Sequence, residues 1–211
     1  MTSPFRNFSA LLIFAVLSSA CAMGNKYNYD TPKMVLPVHG TANVGLAVID
    51  ERPYVLDGDK SPDFVGLQRG GFGNPFNVTT ESGRPLSVDM QDSLSKALSS
   101  NGYEVSLIQA TSSSQADIDK AVRHEGKERN VIILLKEWKT DAMMRFGISY
   151  NVILRILNQQ AELLGENQVE ADKEPMGGAG FESANSKAAA VTFENKMNVL
   201  FKAPQIIQAM E

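Results

Sequence analysis

Two long apolar runs separated by four residues constrain this 211-residue chain more than any other feature. Asn130-Val-Ile-Ile-Leu-Leu-Lys-Glu-Trp-Lys-Thr-Asp141 is followed, after Ala142 to Arg145, by Phe146-Gly-Ile-Ser-Tyr-Asn-Val-Ile-Leu-Arg-Ile-Leu157. The second run puts Phe146, Ile148, Tyr150, Val152, Leu154 and Ile156 on one face, the two-residue period of a strand. So short a connection predicts an antiparallel hairpin. Leu163 to Lys173 extends it with a polar strand whose charges suit a sheet edge.

Other elements follow from local patterns. Asn43-Val-Gly-Leu-Ala-Val-Ile-Asp50 is β-branched and bounded by Gly40 and Pro53, as a buried strand is. A helix beginning with Ser87 as its cap places Met90, Leu94, Ala97 and Leu98 on one face and ends at Gly102. Tyr103 to Ile108 is a further strand, and Ser112 to Ser114 cap a short helix over 115–126. A last helix from Ser183 aligns Ala190, Phe193, Met197, Leu200 and Phe201, and Pro204 kinks or restarts it. That stripe fits core packing better than a membrane surface, because the opposite face lacks dense Lys and Arg. The pattern predicts an α+β fold: a mostly antiparallel sheet of about five strands with two main helices packed on it.

The first twenty residues form a separate unit. Arg6 precedes the apolar stretch Phe8 to Leu17, and Ser18, Ser19 and Ala20 follow it, which is the layout of a secretory signal too short to span a membrane. Leu17-Ser-Ser-Ala-Cys21 resembles the lipobox of bacterial lipoproteins, with Leu17 four residues before the cysteine instead of three. The resemblance implies cleavage between Ala20 and Cys21 and a covalent lipid on Cys21, the only cysteine in the chain. Two or three acyl chains then hold the protein to a bilayer without a spanning helix. Ala22 stands where an aspartate would resemble an inner-membrane retention signal, so the expected place is the periplasmic face of the outer membrane. Residues 21–41, polar and interrupted by Pro32 and Pro37, are expected to form a flexible tether to a single periplasmic domain over 42–211.

Little in the chain points to catalysis. His39 and His124 lie far apart, no serine sits in a nucleophile-elbow motif, and neither Gly70–Gly73 nor Gly177–Gly180 is followed by the Lys-Ser/Thr of a phosphate loop. No metal site, cofactor or catalytic residue is therefore expected, beyond the lipid on Cys21. The net charge of −4 argues against nucleic acid. Asp50 and Arg52 project to the same side of a strand end, where they either form a structural ion pair or leave Arg52 facing a ligand. Residues 51–86 show no clear period and are expected to form a long loop. In it Arg69, Phe72, Phe76 and Arg84, with Phe64, either meet a partner or pin the loop to the core.

The lipobox, the strand ending Val-Ile-Asp50-Glu51-Arg52, the segment Phe64-Val-Gly66, and a Met90/Leu94/Leu98 helix closing in Asn101-Gly-Tyr-Glu-Val105 together resemble the YajG-like bacterial lipoproteins. That likeness implies a small α+β domain tied to the outer membrane and brings no catalytic residues. The function expected is a non-enzymatic binding or envelope-assembly module that meets the lipid bilayer and an envelope protein or glycan. The alternatives are a carboxylate-dependent hydrolase of envelope polymers and an accessory subunit of an export machine.

Overall fold

The structure, a computed structural model, describes residues 24–30, 34–110, 112, 114–143, 145–177 and 182–211. The signal segment 1–20, the Ala20–Cys21 cleavage point and the lipidation of Cys21 lie outside the described residues.

In chain order the elements are β1 (Lys26–Tyr27), β2 (Asn43–Asp50), α1 (Pro53–Leu56), β3 (Phe64–Arg69), β4 (Pro75–Thr80), α2 (Leu86–Ser100) and β5 (Glu104–Leu107). Then come α3 (Gln115–Glu125), β6 (Arg129–Ala142), β7 (Phe146–Leu157), β8 (Leu163–Pro175), α4 (Glu182–Phe201) and α5 (Pro204–Met210). The strands form one eight-stranded sheet. The predicted mostly antiparallel, five-stranded sheet is thus corrected: β1–β4, β2–β5, β2–β6 and β3–β6 are parallel, and β3–β4, β6–β7 and β7–β8 are antiparallel.

Strand β6 organises the sheet. One of its edges carries β7 from Asn130 to Ala142; the other carries β2 along Arg129–Leu135 and then β3 along Thr140–Ala142. The register slips between Leu135 and Glu137, and this bulge reverses which side chains face inward. Before it Val131, Ile133 and Leu135 point to the main core; after it Trp138, Thr140 and Ala142 are the buried ones. Ile132 and Leu134 are buried as well, against Ile118 and Val122 of α3 on the second face. This explains the continuous apolar run, since a strand covered on both faces has no polar side.

Helix placement follows from strand order. From β2 the chain crosses through α2 to β5 on one side, and from β5 through α3 to β6 on the other side of β2. Right-handed crossovers in opposite directions require the two helices to lie on opposite faces. Accordingly α2 buries Leu86, Met90, Leu94 and Leu98 in the main core, and α3 packs in the smaller cluster on the reverse. Helix α2 begins after Pro85 without a side-chain cap, so Ser87 lies in its first turn instead of capping it; Ser114 does cap α3, accepting from the Asp117 amide at 3.2 Å.

Two expectations about loops are overturned. The stretch 51–86 is not structureless, because β3 and β4 form a hairpin within it, turning at Gly70–Asn74. Gly66 makes this possible: a Cβ there would lie 1.9 Å from Thr140 Oγ1 and 2.4 Å from the Thr140 carbonyl oxygen, so only glycine lets β3 pair with β6 at this point. The described part of the expected tether also contributes side chains to the core. Tyr27, Tyr29, Met34, Leu36 and Val38 are all buried, and Lys26–Tyr27 pairs with Thr79–Thr80. Tyr29 accepts a 3.0 Å hydrogen bond from Trp138 Nε1, and Trp138 also packs edge-on against Phe193 of α4. Polarity misled here because the apolar residues alternate with exposed ones along an extended segment.

Candidate functional site

Helix α3 covers only the half of the outer sheet face that lies before the β6 bulge. Beyond it Glu137, Lys139 and Asp141 of β6, and Gly147, Ser149 and Asn151 of β7, are half-buried on the outer face, with Tyr54 of α1 donating to Glu137 at 2.8 Å. A cleft of about 540 Å³ opens here, at the hairpin end of the sheet. Its walls carry four cations, Arg69, Lys139, Arg145 and Lys173, against two acids, Asp141 and Asp172. A second cleft of about 560 Å³ continues from it along the same face, sharing Lys139, Ser149 and Asp172.

Both acids are already engaged. Asp141 accepts from Arg69 Nε at 2.8 Å on Oδ1 and 3.1 Å on Oδ2, and from Nη2 at 2.6 Å on Oδ2. This bidentate geometry strengthens the pair and pushes the Arg69 guanidinium up from its ordinary value. Asp172 accepts from Ser149 Oγ at 2.7 Å, and the same Oγ accepts from the Lys173 amide at 3.2 Å. The register of β7 with β8 slips between Ile148 and Tyr150, which leaves Asp172 and Lys173 bulged opposite Ser149. Lys173 takes a left-handed φ of 52°, a conformation that costs a non-glycine residue about 1–3 kcal/mol and is concentrated at functional positions. Among the described residues, Lys139, Arg145 and Lys173 have no carboxylate within ion-pair distance; Lys139 Nζ lies 5.9 Å from the Tyr54 ring centre. The first cleft therefore carries more cations than acids on a protein whose net charge is −4, while its continuation carries Glu137, Glu170 and Asp172 beside Lys139.

Below the cleft rim, Glu174 accepts from the Tyr150 hydroxyl and from Lys196 Nζ of α4, the latter at 2.7 and 2.9 Å. Lys196 and then Tyr150 hold the Glu174 carboxyl below the usual carboxylate range. A depressed folded-state value contributes stability above the unfolded value, near 4.5, and that contribution disappears as pH falls through the folded value. Glu174→Gln is accordingly expected to lower the melting temperature at pH 7 and to match the wild type in strongly acidic buffer. Paired thermal melts across that range check it.

The residues singled out from sequence separate into three groups. Arg52 is fully buried and serves structure: its guanidinium meets Asp50 at 2.8 and 2.7 Å and donates to the carbonyls of Phe64 at 2.5 Å and Pro62 at 3.0 Å. Arg84 binds Asp89 and Asp92 at the start of α2, and Phe64 is buried against Tyr54. Arg69, Phe72 and Phe76 instead share the β3–β4 hairpin: Arg69 on the cleft wall, Phe76 half-buried behind the turn, and Phe72 fully exposed at its tip. Sequence reasoning missed Lys139, Arg145, Ser149 and Lys173. The outward period of Lys139 and Asp141 was a usable signal, but the β8 bulge that adds Lys173 had none.

At the cleft the Ser149 hydroxyl meets the Asp172 carboxylate, with no histidine among the described lining residues. His39 and His124 are exposed elsewhere, and among the described residues no group of three or more His, Cys, Asp or Glu could hold a metal ion. A smaller cleft of about 370 Å³ lies at the carboxyl end of β2, where Gln91 Oε1 accepts from the Val48 amide at 3.0 Å and so occupies the free strand edge.

Comparison with solved structures places the architecture. A protein of family DUF330 from Xanthomonas campestris superposes with a TM-score of 0.52 over 87% of this chain and 93% of its own, at 10% identity. The fold is shared with that family. An uncharacterized protein aligns with a TM-score of 0.43 (14% identity, 89% of this chain, 99% of that one). A dodecamer of PelC from Paraburkholderia phytofirmans aligns with a TM-score of 0.36 (10% identity, 77% and 92%). No family model matches the sequence. No curated protein matches it either.

Proposed function

We propose that this protein is a lipid-anchored, non-enzymatic binding or assembly module at the periplasmic face of the bacterial outer membrane, where its cleft receives an anionic group of an envelope component. The observation that carries the binding role is the set of Lys139, Arg145 and Lys173 around a strained bulge, with Asp141 ion-paired to Arg69 and Asp172 hydrogen-bonded to Ser149. A carboxylate or phosphate is the complementary chemistry. Anchoring rests on the Leu17–Cys21 lipobox and on the YajG-like order of motifs.

Photo-crosslinking residues introduced in living cells at positions 145 and 173, with exposed Lys120 on α3 as control, test the binding role. Adducts are expected at 145 and 173, and their loss is expected when Lys139 is changed to Glu in the same chain. Identical labelling from position 120, or labelling unaffected by Lys139→Glu, would overturn the proposal.

A further inference from the structure

The hairpin end of the sheet carries an unusual surface. Phe72 is exposed at 103% of its reference area at the tip of the β3–β4 turn, where Gly71 and Gly73 give it no neighbouring side chain to pack on. Met143, 51% exposed, stands on the adjacent β6–β7 turn, since Gln68 pairs with Ala142 and each strand turns within two residues of that pair. Exposed Arg145 follows Met143, and Arg69 stands at the base of the β3–β4 turn. Two exposed apolar tips beside Arg145, with the Arg69–Asp141 pair at their base, match a bilayer surface, where the tips enter the acyl boundary and the Arg145 guanidinium meets anionic headgroups.

The start of the described chain lies at this same end. Lys26 pairs in parallel with Thr79, and Gly24 abuts Asn77, two residues from the beginning of β4. Cys21 precedes Gly24 by three residues, so with 3.8 Å between successive Cα atoms it lies within about 11 Å of Gly24. Because Tyr27 and Tyr29 are already packed in the core, the chain joins the domain within a few residues of Cys21. The opposite end mixes Glu128, Glu162 and Glu166 with Arg123, Lys127 and Arg155, together with a competing apolar pair, Leu163 and Leu164.

We infer that the protein lies directly on the membrane by its hairpin end, with Phe72 and Met143 inserted into the lipid surface beside the acylated cysteine. This orientation rests on the proposed lipidation of Cys21. It brings the cationic cleft close to the headgroups and points Leu163 away from them.

The test uses the full chain, purified from membranes and reconstituted in phosphatidylethanolamine–phosphatidylglycerol vesicles containing brominated acyl chains. Phe72→Trp, Met143→Trp and Leu163→Trp are compared, each corrected for buried Trp138 by the wild type. Loss of most of the added emission at positions 72 and 143, with none at 163, is expected. Mass spectrometry of the same samples reads Cys21: an unmodified cysteine would overturn the anchor and this orientation together. A lipidated cysteine with unquenched tips, or with quenching at 163 instead, would overturn the orientation alone. Trp138 emission in the wild type reports that the core remains folded.

Discussion

A chain beginning at residue 39 is expected to lose its cooperative unfolding transition, whereas one beginning at residue 24 keeps it. The segment between them buries Tyr27, Tyr29, Met34, Leu36 and Val38, none more than 5% exposed. Each large apolar side chain so buried contributes roughly 1.5–3 kcal/mol, so their joint loss is comparable to the ~5–15 kcal/mol that holds a whole domain together. Polar partners would be stranded too. Ser93 Oγ donates to the Tyr29 carbonyl, and the Asn101 side chain donates to the carbonyls of Leu36 and Val38 at 2.8 and 2.7 Å. Near-ultraviolet circular dichroism and thermal melts of the two chains check this. An unchanged melt for the shorter chain would return the segment to the role of a tether.

Arg52→Met is expected to cost about 3–5 kcal/mol, the usual consequence of removing one partner from a buried pair. Asp50, only 13% exposed, would keep its charge without a cation, and the carbonyls of Phe64 and Pro62 would lose their donors. Those two carbonyls hold the entry to β3, so the damage should centre on the β3–β4 hairpin. Arg52→Lys should restore little, because a single ammonium cannot serve a bidentate carboxylate and two carbonyls at once. Urea unfolding of Arg52→Met, Asp50→Asn and the double variant measures the coupling. The double variant should cost less than the sum of the singles, since it leaves no isolated charge.

Legibility from sequence followed the range of the interactions involved. The β6–β7–β8 meander was visible because each pairing is closed by a short turn and advertised by alternation on β7. Helix α2 and its left-handed end at Gly102 were visible for a similar reason, a local period with local punctuation. The β3–β4 hairpin was hidden, because Gly66 and Pro75 look like loop residues until the backbone of Thr140 is placed beside them. For the candidate site, Arg69 and Phe72 were picked out as members of a loop. Their neighbours Lys139, Arg145 and Lys173 come from three other places in the chain.

By itself, then, the sequence determined the α+β class, the long antiparallel hairpin, the helix ends and the lipobox-like signature around Cys21, all written in residues close together along the chain. Only the tertiary structure decided the parallel placement of β2 and β3 on one edge of β6, the burial of Tyr27, Tyr29, Met34, Leu36 and Val38, and the gathering of the cationic cleft at the hairpin end. These depend on contacts between residues tens to more than a hundred positions apart, such as the Trp138–Tyr29 hydrogen bond across 109 residues, and no local period records them.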